Sequence, residues 1–387
     1  MKIRIYTMTH KVFLEPEDKN LYIPLHVGRA LGGDLGYLND NTGENISAWN
    51  DRYGELTGVY WVWKNDTDSD IIGICHYRRF FVDQDRQLLR GCDYERLFKT
   101  YDIVVSPQME ADRNYLEYYG EAHNAEDLYS VGRAIKKLYP EDYPLFVQVI
   151  NQPKYYYGNL MVARRELFLD YASWLFAILQ EAEKEIDVSS YDLYNRRVFG
   201  FLSEQLLLLW IIKKQLKAYE CPVGLTAEKA ETVELKLAVS QLVKMGEILQ
   251  ARELFYEFTK IRPDVRLELS DIKGELPIME QLLYIMDEEE KRGIAGLCQY
   301  SVQMDILIAH YRDVSKILNA CIQRELCRED KQYFLNHPVS WVMVMVILLN
   351  SPGLSLDKEG VLERVKQLYL QNGQIEDAKA LEGVQIT

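Results

Sequence analysis

Four consecutive residues, His76-Tyr77-Arg78-Arg79, hold the densest potential chemistry in this sequence, because they follow at once on the apolar run Ile71–Cys75. A short apolar run bounded by polar residues reads as a strand, and charged side chains are rarely buried without partners. Two guanidinium groups at the carboxyl end of a strand stand where α/β sheets take up ligands. Arginine grips phosphate oxygens bidentately, so the pair suits a diphosphate. The competing reading pairs Arg78 and Arg79 with Asp83 and Asp85 on a solvated turn, which costs and gains little; composition alone leaves the two level.

A second group lies further along. Glu204 follows Arg197-Val198-Phe199-Gly200-Phe201-Leu202-Ser203, and Ser203-Glu204 reads as the opening of the apolar helical run Gln205–Ile212. A carboxylate at a helix start is favoured in its ionised form and could act as a general base, although plain first-turn stabilisation uses the same residue. Tyr157-Gly158-Asn159 combines a glycine that permits close backbone approach with an amide that donates and accepts; a turn before a strand would look alike. Thr7 and His10, at the end of the strand-like run Lys2–Tyr6, and Asn45, Asn50 and Glu55, ahead of Ile71, are further polar candidates for contact with a phosphorylated ligand.

Composition bounds the rest. A chain of 387 residues suits two domains of roughly 150 to 200 residues each. A net charge of -14 argues against nucleic acid or an anionic membrane as a general partner. Cys75, Cys92, Cys221, Cys298, Cys321 and Cys327 lack metal spacing and read as reduced, buried thiols. The apolar runs Leu206–Ile212 and Trp341–Leu349 fall short of the roughly 20 residues that span a bilayer, and no apolar leader opens the chain, so a cytoplasmic protein is expected. No P-loop, dinucleotide fingerprint, nucleophile elbow or zinc-protease motif is present. The 27 tyrosines suit ring stacking or half-buried packing.

These residues need elements to position them. Asn41-Thr42-Gly43-Glu44 resembles a capping box, and apolar residues at Ile46, Trp49, Tyr53, Leu56, Tyr60 and Trp63 predict one helix running into the Ile71 strand. Tyr22–Val27 reads as a loop or edge element. Tyr101–Ser106 and Tyr155–Val162 predict strands, and helices are expected near Asp127–Leu138, Glu166–Ile186 and Phe199–Leu216. The polar, aromatic stretch from Gln108 to the helix at Asp127 has the character of a substrate loop or lid. Beyond Cys221-Pro222-Val223-Gly224 helical periodicity takes over to the end, with Gly246, Ala251, Phe255 and Pro263 at the offsets of a tetratricopeptide-type hairpin and Gly373 and Ala378 repeating the first of those offsets. Domains at 1–220 and 221–387 follow.

In order along the chain, Tyr22-Ile23-Pro24-Leu25, Asn41 through Ser47, Glu55-Leu56-Thr57-Gly58, Tyr60 through Asn65, His76-Tyr77-Arg78-Arg79, Tyr157-Gly158-Asn159 and Arg197 through Glu204 resemble the HYRR-type glycosyltransferases of bacterial capsule and exopolysaccharide clusters, catalogued as a domain of unknown function. The resemblance covers roughly residues 1–220. It implies a GT-A-like, Rossmann-like α/β fold followed by the all-helical domain, and transfer of a sugar from a nucleotide donor (a uridine diphosphate sugar, with galactofuranose or galactose as candidates) to a glycan or lipid-linked glycan acceptor. By that analogy the reaction is inverting. Thr7, His10, Asn45, Asn50, Glu55, Arg78 and Arg79 would bind the donor, His76 would position it, Glu204 would be the base, and Tyr157, Gly158 and Asn159 would lie on the acceptor side.

GT-A enzymes hold a divalent metal with an acidic D-x-D after a strand; here arginines occupy that place, so no metal is expected, and Asp66, Asp68 or Asp70 with manganese or magnesium is the alternative. Glu204 is followed by Gln205, where the family often has arginine. The helical half would serve dimerisation or protein contacts, at the inner face of the membrane if peripheral. A noncatalytic glycan-assembly scaffold with a vestigial site is the reading from a different class.

Overall fold

The computed structural model describes residues 1–267, 269–323, 326–350 and 358–382. The chain forms two compact units, Met1–Ala227 and Glu228–Thr387.

The first unit is built on a mixed sheet that has nine strands among the described residues. In chain order these are β1 (Ile3–Thr9), β2 (Tyr22–His26), β3 (Leu38–Asn39), β4 (Ile71–His76), β5 (Arg79–Phe81), β6 (Ile103–Val105), β7 (Met161–Arg164), β8 (Ala218–Glu220) and β9 (Val223–Leu225). The main path runs β8-β6-β7-β4-β1-β2-β3, with β5 joining β4 to β9. Strand β1 is parallel to β2 and β4, whereas β7 is antiparallel to both β4 and β6. Burial on both faces explains the nearly continuous apolar run in β4. Ile71 and Cys75 pack with Ile5, Phe80 and Val162 on one side, and Ile72 and Ile74 pack with Tyr6, Met8 and the helices on the other.

Helices α1 (Leu56–Asn65), α2 (Ala125–Leu138), α3 (Arg165–Ala182) and α4 (Val198–Lys214) cover the sheet through Val59, Val62, Phe168, Leu175, Phe199 and Leu206. The expected single helix leading into β4 is instead three pieces. A 3-10 turn at Ser47–Trp49 and a short helical turn at Asn50–Tyr53 end at Gly54, whose φ of 55° and ψ of −132° break the path before α1 starts. Glycine alone reaches such angles cheaply. No capping box forms at Asn41: Asn45 accepts from the Ser47 N–H instead, and Glu44 accepts from Tyr60 Oη. The stretch after Gln108 is not an open lid. It forms a helix at Tyr115–Ala122, capped by Asn114 and buried through Tyr115 and Tyr119, before α2.

The second unit is helical among its described residues, with α5 (Ala230–Lys244), α6 (Ile248–Ile261), α7 (Leu276–Arg292), α8 (Met304–Gln323), α9 (Trp341–Asn350), α10 (Lys358–Gln371) and α11 (Ile375–Ala380) as its principal helices. The apolar run at Trp341 is core: Val342, Met343, Val344 and Ile347 are buried with Leu282, Leu318 and Tyr369. Gly246 turns the chain between α5 and α6, Ala251 and Phe255 are buried on α6, and Pro263 follows it. The predicted helical pattern at 351–357 and 383–387 lies outside the described residues. The sheet continues past residue 220, because Val223–Leu225 pairs with Arg79–Phe81; the division between units accordingly falls after Ala227.

Candidate functional site

The turn between β4 and β5 is pinned from both sides. His76 pairs with Arg79 across it, the Tyr77 N–H bonds Met8 O at 3.0 Å, and the Arg78 carbonyl accepts from Thr226 N at 3.1 Å. Because Phe80 and Phe81 anchor β5 in the core, Arg78 and Arg79 are drawn inward and are only 5% and 8% exposed. The Arg79 guanidinium lies over the Tyr157 ring, 4.6 Å from its centre, and Nη2 donates to Tyr157 Oη at 3.2 Å. Its Nε has no hydrogen-bond partner, and among the described residues no carboxylate pairs with it. Asp83 accepts instead from the Asp85 and Gln87 backbone N–H groups, so the solvated Arg–Asp turn does not form at Arg79. A buried cation held in no ion pair is costly and gains from an anion that binds it directly.

Facing Arg79 is a turn in left-handed conformation. Gly158 has φ +86° and Asn159 φ +52°, so the expected strand across 155–162 is interrupted between Tyr155 and Met161. A Cβ at Gly158 would lie 2.6 Å from Arg79 Nη1, which only glycine avoids. Each turn residue holds a different acid. The Gly158 N–H donates to Glu204 Oε1 at 2.8 Å, and Asn159 Nδ2 donates to Glu55 Oε1 at 2.8 Å and Gly200 O at 3.0 Å. Ser203 Oγ completes the set by donating to Asn159 Oδ1 at 2.9 Å.

Glu204 does not open its helix. Since α4 begins at Val198, the carboxyl projects from the second turn, beyond the reach of the N-terminal dipole. Burial, reinforced by the negative charge of Glu55, pushes it up to about 8, against the pull of the Gly158 N–H and of Arg79. Near neutral pH it therefore holds its proton most of the time, the opposite of what a helix-start position implied. His76 moves the other way: burial lowers it to about 4 despite Glu55, and Arg79 and Arg78 add to the shift. Neutral His76 hydrogen-bonds the Gly158 backbone, while Nε2 is buried without a partner.

The structure thus brings together Glu55, His76, Arg79, Tyr157, Gly158, Asn159 and Glu204, with Arg78 beside them on the same turn. Exposed His10 meets the Tyr77 ring at 5.3 Å. Thr7 is fully buried and shares a 3.2 Å hydrogen bond with Cys75 Sγ. Asn45 is exposed and donates to Gly43 O, while Asn50 Nδ2 is occupied by Gly54 O at 2.6 Å and Thr57 Oγ1 at 3.0 Å. Asp66, Asp68 and Asp70 sit at the opposite end of β4 from His76. There Asp66 takes Tyr6 Oη at 2.7 Å and Arg165 at 3.2 Å, Asp68 pairs with Lys2 and Arg4, and Asp70 accepts from the Lys2 N–H.

Sequence reasoning missed two groups. Asp40, fully buried, accepts from Gly28 N at 2.8 Å, Arg29 N at 3.1 Å, Thr57 Oγ1 at 2.7 Å and Ser47 Oγ, tying the loop after β2 to the start of α1 beside Glu55. No local pattern announces it. Tyr115 and Tyr119 stand near enough to Glu204 to feel its charge; the Asn114 cap followed by tyrosines four apart was the available signal.

A family model described as Domain of unknown function (DUF4422) matches residues 4–215. The chain belongs to this family. Among solved structures it is similar to the apo structure of the bifunctional glycosyltransferase WbbM, at 30% identity and a TM-score of 0.50, over 59% of this chain and 46% of that one. The chain thus spans less than half the length of that enzyme. No curated protein matches it. Among the described residues, no helix is long and apolar enough to cross a membrane.

Proposed function

We propose that the first unit is a glycosyltransferase that moves a sugar from a nucleoside diphosphate donor, a uridine diphosphate hexose or galactofuranose, to a hydroxyl of a growing glycan in capsule or exopolysaccharide assembly. The observation that carries this reading is the buried Arg79, which makes no ion pair among the described residues and faces Glu204 across the Gly158-Asn159 turn. The family and the likeness to WbbM support it, as does the HYRR turn itself.

In this reading the donor diphosphate lies against Arg78 and Arg79. Neutral His76 Nε2 accepts from a donor hydroxyl. Ionised Glu204 takes the acceptor O–H proton, the acceptor oxygen bonds to the anomeric carbon, and the bond from that carbon to the diphosphate breaks. The electron pair leaves with the nucleoside diphosphate, where the guanidinium groups stabilise it. One displacement inverts the anomeric centre. Fixed arginine charge does the work that a divalent metal would do, so the proposed reaction needs no added metal. The helical unit, with its tetratricopeptide-type α5–α6 hairpin, is assigned to protein contacts or dimerisation on the cytoplasmic side of the membrane.

The test is release of nucleoside diphosphate from a panel of nucleotide sugars, with and without chelator, for wild type and Arg79→Ala. Turnover that survives chelation and is lost in the variant supports the reading. Activity abolished by chelator overturns its metal-independent part. If free nucleotide binds neither protein, the scaffold alternative takes its place.

A further inference from the structure

Helix α4 is buried from Val198 to Ile211 except at two positions, and these form a pattern with Arg197, the residue that precedes it. Between Arg197 and Ile211 only Arg197, Phe201 and Glu204 reach solvent in part. They are spaced four and three residues apart, which places a cation, an aromatic ring and the proposed catalytic carboxyl in one stripe on one helical face. At 1.5 Å per residue the stripe is on the order of 10 Å long, about two sugar rings.

The surroundings are mainly aromatic; the acid in the same segment, Asp192, accepts from the Tyr194 and Asn195 N–H groups and lies close enough to His123 to act on it. His123 stacks on Phe201 with centres 4.3 Å apart, and on Tyr194 at 5.7 Å. The Arg197 guanidinium lies 5.5 Å from the centre of the Tyr194 ring and 5.7 Å from that of Phe201. No carboxylate pairs with Arg197 among the described residues, in a chain whose net charge is -14. Neighbouring Arg196 likewise has no ion pair among them, and its Nε is buried without a partner. In the same wall the Tyr119 hydroxyl, on a side chain only 2% exposed, has no hydrogen-bond partner, and it lies close enough to Glu204 to feel its charge.

We propose that this stripe is the acceptor subsite, and that it takes an anionic glycan: a sugar ring stacks on Phe201 with its reacting hydroxyl toward Glu204, and a phosphate or carboxylate on the next unit meets Arg197. The inference rests on the transferase reading and adds the charge class of the acceptor. Aromatic faces suit the apolar faces of sugar rings, and an arginine already ordered over two rings gives an anion a charge-assisted bond with little further loss of freedom. Arg78 and Arg79 are left to the donor.

The experiment measures equilibrium binding of three probes to the full chain in the presence of uridine diphosphate: a neutral octyl hexoside, the matching octyl hexuronide, and a hexosyl phosphate diester. Transfer kinetics are run alongside. The anionic probes should bind about tenfold more tightly than the neutral one, a gain lost in Arg197→Ala and largely kept in Arg197→Lys. Phe201→Ala should weaken all three several-fold, while donor KM and nucleotide affinity stay unchanged in every variant. Preference for the hexuronide over the diester would identify a carboxylate as the native group, and the reverse a phosphate. Equal binding of neutral and anionic probes, or anion preference that survives Arg197→Ala, overturns the proposal. Loss of nucleotide binding in the wild type would instead sink the transferase reading, with selective glycan binding still measurable by itself.

Discussion

Replacing Glu204 with glutamine removes a titrating proton yet leaves an oxygen to accept the Gly158 N–H, so it isolates what the buried carboxyl costs the fold. Its folded-state value is raised from 4.5 to about 8. Between those values the unfolded chain releases the proton and the folded protein keeps it, so the unfolded state binds fewer protons and stability falls as pH rises. At about 1.4 kcal/mol per pH unit, the loss reaches roughly 3 kcal/mol near neutrality and levels off below about 5 kcal/mol above pH 8, a ceiling because the side chain is partly exposed. Glutamine carries no such penalty. Glu204→Gln should therefore melt with the wild type at about pH 5 and well above it at about pH 8.5. For a domain of this size the gap is on the order of 10 °C. Calorimetry of the full chain at a series of pH values reads the first unit's transition directly. A difference in melting temperature that stays constant across that range would refute the claim that burial and Glu55 hold Glu204 protonated. The stabilised variant should bind nucleotide and fail to transfer, the exchange of stability for function expected of a buried catalytic base.

Three further outcomes follow from the same geometry. Because Glu204 must be ionised to accept a proton, wild-type transfer at saturating substrates should rise with pH and level off above about 8; a rate that falls over that interval would make Glu204 the acid instead. Gly158→Ala places a methyl group against Arg79 at a backbone angle that alanine resists, so nucleotide affinity should drop about tenfold or more with circular dichroism unchanged, and wild-type affinity would remove Arg79 from the diphosphate site. Asp40→Ala strips the acceptor from two backbone N–H groups and two hydroxyls, and should cost about 3 kcal/mol or more in denaturant unfolding; a loss under about 1 kcal/mol would show that water replaces the carboxylate without penalty.

Much of the fold was readable from one-dimensional signals. The apolar run at Ile71, the periodicity of α2, α3 and α4, and the change to helix after Cys221 depend on neighbours within a few residues, which is the range over which propensity and period act. The break at Gly54 was not readable. The apolar spacing from Ile46 to Trp63 fits one helix, whereas the folded chain divides that span into three pieces, the last beginning after Gly54. Local aromatic content likewise concealed the helix at Tyr115, whose burial beside Glu204 comes from distant parts of the chain.

What the sequence determined alone was the chemistry available: two arginines at a strand end, a glutamate on an apolar helix, and a glycine and an asparagine before a strand. Tertiary structure decided how that chemistry is tuned. It gave Thr7, Asn45 and Asn50 hydrogen-bond partners of their own and supplied Asp40 as a brace. By joining residues 55, 158, 159 and 204 across more than a hundred positions, it turned a carboxylate expected to be ionised into one that keeps its proton. A pKa reports the local dielectric and the charges within a few ångströms, and those are set by which segments meet, a property no spacing along the chain records.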